Sequence, residues 1–342
     1  AITNTHLKIQ KSTALLLVLT LLLLFSVSCV ESPADPSPKP PPLPLQSPQA
    51  YYINNRLLAV PGGSKFSYTA PAASSYRSSG PENQVNILLL GLDARGLSDA
   101  LVIFTYNADT FDSAIISIKR DTYIPFRSWS EPGRGHDIIA WASYVGSGYG
   151  SGNYHGGAEL SAVTLERLLG IDIHAYAAVT FDGFVELIDL IGGVTVDVAS
   201  GFAGTRLNPG NQHLNGSEAL YYARYRMNPR IPEPGSQSED GDRIRRNQRL
   251  LQAVLGQAQT LPTDELLAIY EALEQKIYTN LTDWDLLTLA NIFYNKDPRN
   301  MELVVLPGEH INSYQSLIDL NVDYYHLDEA ECDIIFTGLG LK

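Results

Sequence analysis

The sequence predicts an α/β domain built on a central mixed β-sheet flanked by helices. Three observations lead there. Residues 86–90, 100–106 and 114–118 are short runs of Leu, Ile, Val, Phe and Tyr bounded by Gly, Asp and Asn, as buried strands are. Residues 175–198 then read strand, helix, strand, the rhythm of layered α/β packing. Paired glycines at 192 and 193 separate the last helix and strand, where the chain must turn sharply.

The chain of 342 residues is 44% hydrophobic, enough for a real core, so a folded protein is expected. A net charge of −13 argues against non-specific nucleic-acid binding, which needs clustered cations. Two cysteines, Cys29 and Cys332, lie near opposite ends, so no disulfide framework or zinc site is expected.

Residues 1–30 hold an almost continuous apolar run from Ala14 to Val27, preceded by Lys8 and Lys11, the pattern of a signal or membrane anchor. Cys29 closes a Ser26-Val27-Ser28-Cys29 box that also reads as a lipoprotein cleavage site. Both readings, an anchoring helix or a lipidated Cys29, place the protein at the cell membrane with its main domain outside the cytoplasm. Residues 31–84 are a spacer. Its first part, SPADPSPKPPPLPLQSPQ, favours polyproline II. The folded domain is expected over 85–342, with its core in 85–260.

Within that domain each early strand ends in charge. Asp93 and Arg95 follow the first, Asp99 precedes the second, and Lys119-Arg120-Asp121 closes the third. Hairpin pairing would bring these carboxylates and guanidinium groups to one sheet edge. Carboxylates can hold a hard cation, and forked Arg donors match phosphate oxygens. Asp93 and Asp99 also suit turns and caps, where Asp is common. Residues 128–156, rich in Gly, Ser and Tyr, read as a loop, and 159–169 as a helix stopped by Gly170. Strand 175–181, helix 182–191 and strand 194–198 follow.

Basic charge then concentrates in an otherwise acidic chain, at Arg206, Arg224, Arg226, Arg230, Arg243, Arg245, Arg246 and Arg249. On a helix Arg243 and Arg246 share the face that could enter a site, whereas Arg245 and Arg249 share one facing solvent. Residues 265–276 and 284–294 read as amphipathic helices, and 303–306 as a late strand. The seven histidines show no H-E-x-x-H spacing, and no G-x-S-x-G elbow or G-x-x-x-x-G-K-[ST] loop occurs. These absences disfavour a zinc hydrolase, a serine esterase and a P-loop nucleotide hydrolase.

Several motifs together resemble the LytR–CpsA–Psr family of bacterial cell-wall polymer transferases. They are Gly91-Leu92-Asp93-Ala94-Arg95, Ser98-Asp99, Arg120-Asp121-Thr122, Gly156-Gly157-Ala158-Glu159-Leu160, Phe181-Asp182-Gly183-Phe184, Ile191-Gly192-Gly193-Val194, His213-Leu214-Asn215-Gly216, Tyr222-Ala223-Arg224-Tyr225-Arg226 and Arg243-Ile244-Arg245-Arg246. Two positions depart from its pattern: Lys119 stands where Pro is usual, and Asn247 where Gln is usual. The resemblance covers residues 86–251 well.

It implies transfer of a glycopolymer from a polyprenyl-pyrophosphate carrier to peptidoglycan, forming a phosphodiester link. Asp93 and Asp99 would hold Mg²⁺, with Mn²⁺ as a substitute. Arg95, Arg120, Arg224, Arg226, Arg243 and Arg246 would bind the pyrophosphate. Arg95, Arg120, Arg224 and Arg226 would also serve catalysis, and Asp121 would orient Arg120 or assist deprotonation of the acceptor. A long apolar pocket would take the prenyl chain, with Val185, Leu187, Ile188 and Leu250 as guesses at its lining. Two other classes fit the same residues: a polyprenyl-pyrophosphate phosphatase or pyrophosphatase using water as acceptor, and a non-catalytic glycan- or lipid-binding lipoprotein.

Overall fold

The computed structural model describes residues 51–53, 56–58, 84–107, 110, 112–124, 138–199, 202, 206–225, 239–281, 301–315 and 320–342. The expected anchor (Ala14 to Val27 and Cys29), the Pro-rich spacer, Arg226, Arg230 and the helix expected over 284–294 lie outside the described residues. Among the described residues no helix is long and apolar enough to cross a membrane.

A small antiparallel hairpin, β1 (Tyr51–Ile53) and β2 (Arg56–Leu58), precedes the sheet. The main sheet contains β3 (Gln84–Leu92), β4 (Ser98–Asn107), β5 (Ser113–Ile118), β6 (Ala175–Thr180), β9 (Ile277–Thr279) and β10 (Glu302–Val305). Its spatial order is β10-β5-β4-β3-β6-β9. β3, β4 and β5 pair antiparallel in sequence, whereas β3 with β6 and β5 with β10 pair parallel, so the sheet is mixed as expected. The three central strands are buried along almost their whole length and carry apolar residues on both faces, as strands covered from both sides must.

Alternation within each strand divides the core. Leu89, Val102, Phe104, Ile115 and Ala177 face helices α3 (Phe181–Leu190), α4 (Gly216–Arg224), α5 (Glu239–Gln259) and α6 (Thr263–Leu273). Leu88, Leu90, Leu101, Ile103 and Ile116 face α1 (Ala140–Gly146), α2 (Tyr154–Leu169) and α7 (Glu329–Gly338). Two further hairpins lie outside the main sheet: β7 (Val194–Val198) with β8 (Gly210–Leu214), and β11 (Gly308–Gln315) with β12 (Leu320–Leu327).

Helix boundaries follow local chemistry. The side chain of Thr180 caps α3 by accepting from the Gly183 N–H, and Asn215 and Glu218 form a reciprocal capping box at α4. Gly170 ends α2 in the left-handed region, and Gly192 and Gly193, with φ of 82° and 86°, make the turn into β7.

The loop expected over 128–156 is corrected. Within it lies α1, and α2 begins at Tyr154, five residues before the expected start. Ala140, Ala142, Ser143 and Val145 of α1 are buried, so packing on the sheet stabilises a helix that its Gly-rich flank disfavours. The expected helix 265–276 is shortened to α6 followed by a 3₁₀ turn.

Candidate active site

The charged strand ends do converge. β3 and β4 are joined through a five-residue turn, with Leu92 opposite Ser98, and Asp93 organises it. Asp93 Oδ1 accepts the N–H of Arg95 at 2.8 Å and of Leu97 at 2.9 Å. Its Oδ2 accepts from Arg95 Nε at 3.0 Å and Nη2 at 2.9 Å. Asp93 is therefore a turn carboxylate as well as a candidate ligand.

Because β4 and β5 run antiparallel with Leu101 opposite Ile118, Arg120 falls across from Asp99. The Arg120 Nη1 group donates to Asp99 Oδ1, and its Nε donates to Asp121 Oδ1 at 3.2 Å. Asp99 is buried, and its other oxygen, Oδ2, has no hydrogen-bond donor. Burial pushes the Asp99 carboxyl up to about 7. Asp93 adds to that rise, whereas Arg120, Arg224 and Arg243 oppose it. Those three arginines therefore share one electrostatic neighbourhood with Asp99.

Helices on one face of the sheet supply the remaining cations. α4 brings Arg224 in its last turn, with the guanidinium 4.6 Å from the centre of the Phe181 ring. On α5, Arg243 and Arg246 are buried, Arg245 is half-buried and Arg249 is exposed, so the first pair is the inner one, and of that pair Arg243 reaches the cleft. Arg243 lines a small open cleft together with Asp99, Ser117, Lys119, Arg120, Ile244 and Asn247. Arg246 is fully buried, donates to the Tyr225 carbonyl and lies 5.6 Å from the Phe202 ring centre. Gln248 Nε2 donates to Ser117 Oγ at 3.3 Å, which pins α5 to the end of β5.

The four residues guessed to line a lipid pocket all lie on this same face. Leu187, Ile188 and Leu250 are fully buried there, and Val185 is partly buried against them.

Sequence reasoning missed three polar contributors to the cleft: Ser117, Lys119 and Asn247. Lys119 Nζ sits 3.8 Å from the Tyr325 ring centre and 3.4 Å from His310 Nε2, while His310 Nδ1 is 3.0 Å from Asp323 Oδ2. β12 also hydrogen-bonds to the segment after Arg120, with the Tyr123 N–H donating to the Tyr325 carbonyl and the Tyr325 N–H to the Asp121 carbonyl, both at 2.9 Å. The two departures from the family pattern, Lys119 and Asn247, were the available signal.

Among the described residues no group of three or more His, Cys, Asp or Glu side chains could hold a metal by itself. The donor set nonetheless fits a cation shared with substrate. Mg²⁺ is commonly held by one or two carboxylates plus phosphate oxygens and water, and Asp99 offers a buried oxygen that no donor satisfies.

A family model described as the LytR_cpsA_psr family matches residues 64–339. A relative from Oceanobacillus iheyensis, named polyisoprenyl-teichoic acid–peptidoglycan teichoic acid transferase TagU, is 36% identical over 185 residues, 52% of each chain. A protein of the same name from Bacillus mycoides is 29% identical over 258 residues, 73% of this chain and 76% of its own. Among solved structures, B. subtilis TagU superposes with a TM-score of 0.53 at 23% identity, covering 76% of this chain and 98% of that one. TagT bound to LIIa-WTA gives 0.58 at 24%, covering 78% and 96%. These likenesses establish the shared fold.

Proposed function

From the premise that this chain belongs to the LytR–CpsA–Psr family, we propose that it transfers a glycopolymer from a polyprenyl-pyrophosphate carrier to peptidoglycan, forming a phosphodiester link. The family match over residues 64–339 establishes the membership. The relatives' names specify a teichoic acid as the polymer they transfer. One observation carries the chemistry: Arg120 and Arg243 line the same cleft as a buried carboxylate, in a protein whose net charge is −13. Such a cleft selects a multiply charged anion.

In this reading the acceptor hydroxyl oxygen attacks the sugar-bearing phosphorus, and its proton leaves to a base. The bond from that phosphorus to the bridging oxygen breaks, and polyprenyl phosphate departs with the electron pair. Arg120 and Arg243 bind the pyrophosphate oxygens and stabilise the charge that grows on the leaving phosphate. Asp121 holds the Arg120 fork in place through Nε. Arg224, close enough to act on Asp99, adds positive potential, and Arg226 and Arg95 complete the set expected from the motif.

Asp93 and Asp99 would hold Mg²⁺, which would supply charge neutralisation at the phosphates. The prenyl chain would lie on the same side of the sheet as Leu187, Ile188 and Leu250, which are themselves packed in the core. The apolar run from Ala14 to Val27 supports a membrane location with the domain outside the cytoplasm.

The test is product analysis with a polyprenyl-pyrophosphate-linked glycan, with and without peptidoglycan oligomers. The reading predicts a phosphodiester-linked product only when acceptor is present. Release of free glycan phosphate at the same rate without acceptor would identify a pyrophosphatase instead.

A further inference from the structure

We propose that Trp141, Tyr144 and Tyr149 form the acceptor subsite, an aromatic ledge that binds the uncharged sugar rings of the peptidoglycan glycan strand. This rests on the transferase reading above and adds where the second substrate sits. Trp141 meets Tyr144 edge to face with ring centres 5.2 Å apart, and Tyr144 meets Tyr149 in the same way at 5.9 Å. Trp141 and Tyr144 are half-buried, and Tyr149 is 53% exposed. Rings fixed by neighbouring rings lose little freedom on binding. The apolar C–H face of a pyranose matches such rings.

The backbone supports a selected side chain at 149. Tyr149 has φ of 57° and is the one non-glycine with positive φ among the described residues, between two glycines that also adopt positive φ. A bulky residue there is strained where Gly would be cheap. Ser147 fixes the loop, donating to the Tyr144 carbonyl at 2.7 Å and accepting the Gly150 N–H at 3.0 Å.

Position ties the ledge to the chemistry. Ser143 Oγ donates to the Gly96 carbonyl at 2.8 Å, and a Cβ placed on Gly150 would come within 2.8 Å of the Arg95 carbonyl. The loop therefore touches the turn bearing Asp93 and Arg95. α1 packs on the opposite face of the sheet from α3, α4 and α5. Displacement at phosphorus is in line, so the nucleophile enters opposite the leaving group. With the donor held by Arg243 on the α5 side of the sheet, an in-line acceptor would arrive from the α1 side, across the ledge.

Tyr149→Gly is the diagnostic variant, because it relieves the strained backbone and so should fold at least as well as the wild type. The experiment titrates full-length protein with soluble uncrosslinked glycan-strand fragments by calorimetry, and separately measures KM for each substrate. Loss of one aromatic contact is expected to raise the glycan Kd and the acceptor KM about 10-fold, leaving the donor KM unchanged. Trp141→Leu should act in the same direction. No glycan binding by the wild type, unchanged binding in Tyr149→Gly, or a shift confined to the donor KM would overturn the assignment. Glycan binding that depends on Tyr149 in a protein that transfers nothing would confirm the ledge and refute the transferase reading.

Discussion

The Arg120 guanidinium bonds one oxygen of the buried Asp99 carboxylate and leaves the other, Oδ2, without a donor. An unsatisfied buried oxygen is costly in a structural ion pair, and useful where a cation is to bind. The carboxyl raised to about 7 by burial shows the same poise, since a cation beside it would favour ionisation.

The first prediction follows from that oxygen. With a prenyl pyrophosphate present to share the cation, millimolar Mg²⁺ should raise the thermal midpoint of the wild type above that with the prenyl pyrophosphate alone, because a ligand that binds only the folded state stabilises it. In Asp99→Asn the rise should vanish, whereas in Asp121→Asn it should persist. Differential scanning fluorimetry checks this without any turnover, and equal shifts in all three proteins would remove Asp99 from the metal site.

Asp93 separates structure from chemistry. Asp93→Ala strips the acceptor from two N–H groups of the turn and should cost about 1–3 kcal/mol in urea unfolding. Asp93→Asn keeps an acceptor oxygen and should cost much less, because the partner Arg95 side chain is 60% exposed and exposed ion pairs contribute little. Both should lower transfer. Full activity in Asp93→Asn would reduce Asp93 to a turn residue.

How much of this was legible follows from the residues themselves. Strand runs ending in Asp93, Asp99 and Arg120 were readable because alternation and composition mark buried strands, and antiparallel pairing then forces their ends together. The facing of Arg243 and Arg246 followed from helical spacing alone. α1 was hidden, because its helix depends on burying Ala140, Ala142 and Val145 against the sheet and its local sequence favours a loop. Lys119, His310 and Tyr325 were hidden for another reason: about two hundred residues separate the first of them from the other two, and their contact exists only once β11 and β12 have folded back.

His174 provides a pH signature. Its Nδ1 accepts the Asn86 N–H at 3.0 Å, so the folded state needs the neutral ring, and burial lowers its pKa from the ordinary 6.5. The charge of Asp172 acts in the opposite direction. A folded-state value below the unfolded one means that the unfolded chain binds the extra proton first. The stabilising contribution is therefore complete above pH 6.5 and declines as pH falls from 6.5 toward the lowered value. His174→Asn, which retains an acceptor and cannot titrate, should flatten that part of the stability profile. An unchanged profile would assign the acid sensitivity to other groups.

The central claim is that arginines at the sheet edge hold the pyrophosphate and stabilise its departure. The most direct measurement is glycopolymer transfer to peptidoglycan oligomers by wild type, Arg120→Ala, Arg120→Lys and Arg243→Ala, at saturating donor and across an Mg²⁺ titration. Removing a preorganised donor at developing charge should lower turnover about 10²–10³-fold in each Ala variant. Arg120→Lys should recover only part of the loss, since a point charge cannot reproduce a two-pronged donor. Turnover at the wild-type level in both Ala variants would contradict the account.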